Sequence, residues 1–64
     1  MPMVETNARR ILDRLAAEGW RTDGGSKHAK LSHPNRPGIV ILVPRHREIA
    51  PGTARAIARA AGWI

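Results

Sequence analysis

His28 is the side chain in this sequence best suited to moving a proton. An unperturbed imidazole titrates near pH 6.5, so it can act as a base at neutral pH without special help. It follows Gly24-Gly25-Ser26-Lys27 and precedes Ala29 and Lys30. Side chains alternate along an extended segment, so His28, Lys30 and Ser32 share one face and Ala29 and Leu31 the other. A base flanked by Lys27 and Lys30 suits phosphodiester chemistry, because the ammonium groups can hold the phosphate that the base works beside. The glycine turn can add backbone N–H groups, at Gly25 for instance, and the Ser26 hydroxyl. It is not a P-loop, which needs a longer glycine-spaced turn opening into a helix, whereas an extended segment follows here. On the residues alone, His28 is also compatible with an inert surface position or a simple phosphate contact.

A second cationic group is Pro44-Arg45-His46-Arg47, a basic loop that leads towards a helix. Arg45 and Arg47 are candidate phosphate ligands, aided by the positive N-terminal end of that helix; a merely solvated loop is the other reading. No metal site is expected. The three histidines, His28, His33 and His46, lie in different elements and there is no cysteine, so zinc lacks a ligand set. Glu5, Asp13, Glu18, Asp23 and Glu48 do not cluster, which argues against two-metal nuclease chemistry. No cofactor is expected either. With Trp20 and Trp63 the only aromatic residues besides histidine, an aromatic stacking platform for bases is disfavoured.

These residues need a scaffold, and the pattern reads helix, three strands, helix. Ala8, Ile11, Leu12 and Leu15 recur at helical spacing and predict a first helix from Asn7 to Glu18, capped by Thr6 or Asn7 and ended by Gly19. Strands are expected at Trp20–Thr22, Lys27–His33 and Ile39–Val43, separated by turns at Asp23-Gly24-Gly25 and Pro34–Gly38. Pro44 should end the third strand. In it Ile39, Ile41 and Val43 should face the helices, and Val40 and Leu42 should face away. Pro51 suits the first turn of a second helix ending at Ala61, with Ala54, Ile57, Ala58 and Ala61 inward and Arg55 and Arg59 exposed. Gly62 ends it, and Trp63 and Ile64 can fold back onto the core. In so small a chain both helices must cover one face of the sheet, leaving the other open.

With 64 residues the chain is expected to form a single domain over 1–64, with a thin core that buries roughly 60% of the unfolded surface. Eleven lysines and arginines against five acids give a formal charge of +6. That balance favours a polyanionic partner, whether nucleic acid, acidic protein or anionic membrane. The longest apolar run, Ile39–Val43, is far below the roughly 20 residues of a transmembrane helix, and no secretory leader is recognisable. A cytoplasmic protein without a membrane partner is expected.

Taken in order, these pieces resemble the HicA family of toxins. Gly19-Trp20 closes the first helix, and Gly25-Ser26-Lys27-His28 looks like the family's Gly-Ser-x-His motif. His33-Pro34, Val43-Pro44-Arg45-His46 and Pro51-Gly52-Thr53, then Ile57 and Ala61-Gly62, complete the set across about residues 7 to 63. The resemblance implies an α+β, double-stranded-RNA-binding-like fold, α-β-β-β-α, with two helices on one face of a three-stranded antiparallel sheet. It implies a metal-independent ribonuclease that cleaves mRNA and is held inactive by a HicB-type antitoxin, with the catalytic histidine at His28. Many members carry histidine at the position of Lys27, so a two-histidine mechanism within this motif is not available here. Candidate RNA contacts are Gly25, Ser26, Lys27, Lys30, Arg45 and Arg47. A non-catalytic RNA-binding module using the same basic surface is the alternative. A DNA-binding regulator ranks below both, because no helix-turn-helix spacing is present.

Overall fold

A computed structural model describes residues 4–23 and 27–64. The elements follow the order α1 (Ala8–Ala17), β1 (Arg21–Thr22), β2 (His28–Ser32), β3 (Val40–Pro44) and α2 (Pro51–Ala61). The fold is α+β, with the helix-strand-strand-strand-helix order of a double-stranded-RNA-binding-like domain.

Helix α1 starts where Asn7 Oδ1 accepts the Arg10 N–H at 3.0 Å. It stops at Gly19, whose φ of +98° lies in the left-handed region that only glycine enters cheaply. The Gly19 N–H then donates to the Ala16 carbonyl and the Trp20 N–H to the Leu15 carbonyl, so two carbonyls left over by the last turn are satisfied. Helix α2 ends in the same way. Gly62 has φ +83°, and the N–H groups of Gly62 and Trp63 donate to the carbonyls of Arg59 and Ala58. Each Gly-Trp pair therefore reverses the chain and lays an indole back towards the core. Trp20 is buried, Trp63 is half-buried against the core, and Ile64, 57% exposed, does not fold back onto it.

The sheet has the order β1-β2-β3 and is antiparallel throughout. In the β2–β3 ladder His28 pairs with Pro44, Lys30 with Leu42 and Ser32 with Val40. Alternation then separates the faces. Ala29, Leu31, Ile41 and Val43 are buried under the helices with Ile11, Leu15, Ala54, Ile57 and Ala61. Both helices pack against β3.

Two expectations for β3 need correction. Ile39 was expected to face the helices, but it is 37% exposed. The ladder ends at Ser32–Val40, and Ile39 lies outside it in a turn where its N–H donates to the Arg36 carbonyl. Pro44 does not stop the strand but is its last residue. It is tolerated because β3 lies at the edge of the sheet, where a missing N–H leaves no neighbouring strand unpaired. The other strand ends differ from the expected ones by a residue: β1 begins at Arg21, and β2 runs from His28 to Ser32.

Candidate functional site

The open face of the sheet carries the cations that the sequence singles out. His28 and Lys30 stand exposed on β2, and Lys27, also exposed, precedes the strand. Cross-strand partners point to the same face. The pairing of Arg21 with Ser32 therefore adds Arg21 to this side, a cation that the sequence reading did not select. Gly25 and Ser26 lie outside the described residues. The flanking chain is held: the Asp23 N–H donates to the Lys30 carbonyl at 2.7 Å, and the Arg45 N–H to the Lys27 carbonyl at 3.4 Å. The second contact brings the start of the basic loop next to the residue preceding His28.

The histidines divide by role. His33 has both ring nitrogens engaged. Nε2 lies 2.9 Å from the Glu18 carbonyl, and Nδ1 accepts the Asn35 N–H at 3.0 Å. That pair of contacts requires the neutral ring with its proton on Nε2, since a carbonyl can only accept and an N–H can only donate. The ring also stands edge-on to Trp20, with centroids 5.2 Å apart. His33 thus joins the end of α1 to the turn after β2. His28 instead presents its ring on the exposed face beside Lys30.

Arg45, His46 and Arg47 are all exposed, and the structure settles what lies beside them. The expectation was the N-terminal end of α2. Instead the loop is tied to the chain entering α1. The Ala8 N–H donates to the Arg47 carbonyl at 3.0 Å, the Ile49 N–H to the Thr6 carbonyl at 2.8 Å, and the Thr6 hydroxyl to Glu48 at 2.8 Å. Ile49, buried in the core, is the anchor that pulls the loop this way. An open groove results between the first turns of α1 and the loop. Arg9, Arg10, Arg45, His46 and Arg47 line it, and no residue of α2 does. Arg9 and Arg10 entered the sequence reading only as residues off the apolar stripe.

Away from this side, Glu18 ties α1 to the chain end. Its carboxylate accepts the Trp63 indole N–H at 2.7 Å and the Arg14 Nε–H at 3.2 Å, and the Arg14 guanidinium stacks 4.1 Å from the centre of the Trp63 ring. The indole hydrogen bond holds the Glu18 carboxyl below its ordinary value; slight desolvation works the other way, and Arg14 and Arg36 add to the lowering.

Among the described residues no group of three histidines, cysteines or acids is placed to hold a metal ion. No helix among them is long and apolar enough to cross a membrane. A family model described as the HicA toxin of bacterial toxin-antitoxin matches residues 8–63. No curated protein matches the chain.

Proposed function

Because the chain belongs to the HicA toxin family and is the toxin component of a bacterial toxin–antitoxin system, we propose that it is a metal-independent endoribonuclease that cleaves mRNA in the cytoplasm, with His28 as its general base. A single 1–64 domain carries the activity in this reading. The observation that supports it is the open face of the sheet, where exposed His28 shares its side with Lys30, follows Lys27 in the chain, and is not drawn into the fold as His33 is.

In this reading His28 takes the proton from a ribose 2′-OH. The 2′ oxygen attacks the adjacent phosphorus, the bond from phosphorus to the 5′ oxygen breaks, and a 2′,3′-cyclic phosphate remains. The leaving 5′ oxygen takes up a proton. General base catalysis of this type contributes roughly 10²–10⁴-fold. Lys27 and Lys30, with Gly25, Ser26, Arg45 and Arg47 as further phosphate contacts, stabilise the negative charge that grows on the phosphoryl oxygens. A HicB-type antitoxin silences the enzyme by docking on the open face, over His28 and the exposed Val40 and Leu42.

The test is cleavage of RNA by the purified protein in excess chelator. Wild type should cut, and His28→Ala should not, while its thermal stability stays within about 0.5 kcal/mol because an exposed strand residue contributes little to folding. Full cleavage by a folded His28→Ala protein would remove the assignment. Binding without cleavage by wild type would favour the alternative, a non-catalytic RNA-binding module.

A further inference from the structure

The groove between α1 and the 44–47 loop adds two arginines, Arg9 and Arg10, that the proposed chemistry at His28 does not use, beside Arg45 and Arg47, which it does. Arg9 and Arg10 reach it from one side, Arg45, His46 and Arg47 from the other, with Asp13 the one acid in its lining among the described residues. Both α1 arginines stand in the first turn of a helix that has no acid there. The helix dipole makes this the least favourable place on α1 for a cation. Glu5 relieves Arg10 only weakly, by an exposed contact of 3.8 Å. The groove therefore gathers cationic side chains whose charge a polyanion would complement.

We propose that this groove is a second RNA subsite, which grips the phosphate backbone of the substrate strand next to the phosphate being cleaved. The reading rests on the proposed ribonuclease function. Its geometric support is the ladder: Pro44, at the rim of the groove, pairs directly with His28. Paired α-carbons in an antiparallel sheet lie about 5 Å apart, less than the spacing of successive phosphates along a strand. A chain whose scissile phosphate sits at His28, on the open face, reaches the groove with its next phosphates by passing round the end of β3 at Pro44. The end of α1 is not itself the ligand, because the Ala8 N–H is taken by the Arg47 carbonyl and the Arg10 N–H by Asn7. The grip comes from guanidinium groups, whose planar forks match phosphate oxygens. Such contacts follow the backbone and not the bases, so the subsite adds affinity without sequence preference.

The experiment compares two charge-matched variants with the wild type. Arg9→Gln/Arg10→Gln removes two cations from the groove. Arg55→Gln/Arg59→Gln removes two exposed cations from α2, which does not line it. Glutamine keeps helix propensity in both. The probe is a 2′-O-methyl RNA of about 12 nucleotides, which has no free 2′-OH to attack, titrated over a range of salt concentrations. Arg9→Gln/Arg10→Gln should weaken binding roughly tenfold and flatten the plot of log affinity against log salt by about 0.7 per lost contact. Arg55→Gln/Arg59→Gln should leave the slope as it was. Backbone amide shifts of the wild type during titration should move at residues 9, 10 and 45–47.

Equal effects of the two variants would show a general response to net charge and overturn the subsite. So would an unchanged slope in the groove variant while the wild type binds RNA. If the groove variant keeps its RNA slope but loses the cognate antitoxin, the groove belongs to an acidic protein segment and the proposal also fails. A wild type that binds no RNA at any salt concentration sinks the ribonuclease reading itself, and the subsite with it.

Discussion

Two of the histidines differ in what a substitution should do. His33 makes two hydrogen bonds, to the Glu18 carbonyl and from the Asn35 N–H, and packs edge-on against Trp20. Gly19 is fitted to that ring. A Cβ at Gly19 would stand 2.8 Å from His33 Nε2, on a backbone already at φ +98°. Gly19→Ala therefore meets two penalties, a left-handed alanine and displacement of the ring from its carbonyl partner. It should cost about 1–3 kcal/mol in unfolding free energy, read from a urea titration. Gly38→Ala carries a similar backbone cost at φ +87°, but nothing lies within 4 Å of its Cβ, so it should cost less. Equal losses at the two glycines would show that the His33 contact contributes nothing. The residue types made His28 legible as a candidate base. They gave no sign of the structural part of His33, because its partners come from the end of α1 and from a turn after β2.

At the scale of elements, α1 is held at its C-terminal end by Glu18, and that hold depends on charge. The carboxyl binds its proton more weakly in the folded chain than at the ordinary value of 4.5, chiefly because the Trp63 indole N–H donates to it, with help from Arg14. A depressed folded value gives stability that is fully present above the unfolded value and is lost as the pH falls through the folded one. The side chain remains 39% exposed, so the effect is discounted to roughly 0.2–1 kcal/mol. Glu18→Gln should melt below wild type at neutral pH, and the gap should close under acid, below about pH 4.5. A gap of the same size at every pH would assign the stabilisation to packing. Helices α1 and α2 were legible because each repeats an apolar residue at helical spacing, and β3 because it is an unbroken apolar run rich in β-branched residues. Ile39 was misjudged because the end of a ladder is set by its partner strand, here by Ser32. Ile49 carried no signal, being a lone apolar residue in a basic loop, yet it turns that loop towards α1. The groove and the part of Arg9 and Arg10 in it follow from that tertiary contact, which no local pattern announces.

At the scale of the whole molecule, one side of the sheet is buried and the other is left for partners. Val40 and Leu42 are 49% and 53% exposed, although the thin core of so small a protein could use two more aliphatic side chains. They belong to β3, which is also the edge of the sheet, so its outer backbone groups face no strand among the described residues. Exposed apolar side chains on an open strand edge are an aggregation hazard unless a partner covers them. Membership of a toxin–antitoxin family supplies such a partner. The ladder sets Leu42 opposite Lys30 and Pro44 opposite His28, so a protein covering the aliphatic pair would also cover His28. Acidic residues around its apolar contact would meet Lys27, Lys30 and Arg21, which gives fast association that weakens with salt. Leu42→Lys separates this contact from chemistry. It replaces an apolar contact with a charge that must be desolvated and adds a cation to an already cationic surface. The variant should bind the cognate antitoxin about 10- to 100-fold more weakly by calorimetry, in line with the loss of one buried aliphatic side chain. Cleavage by the free toxin should not slow. Undiminished antitoxin affinity would place the interface elsewhere, and slowed cleavage by the free protein would mean that Leu42 lies in the path of the RNA.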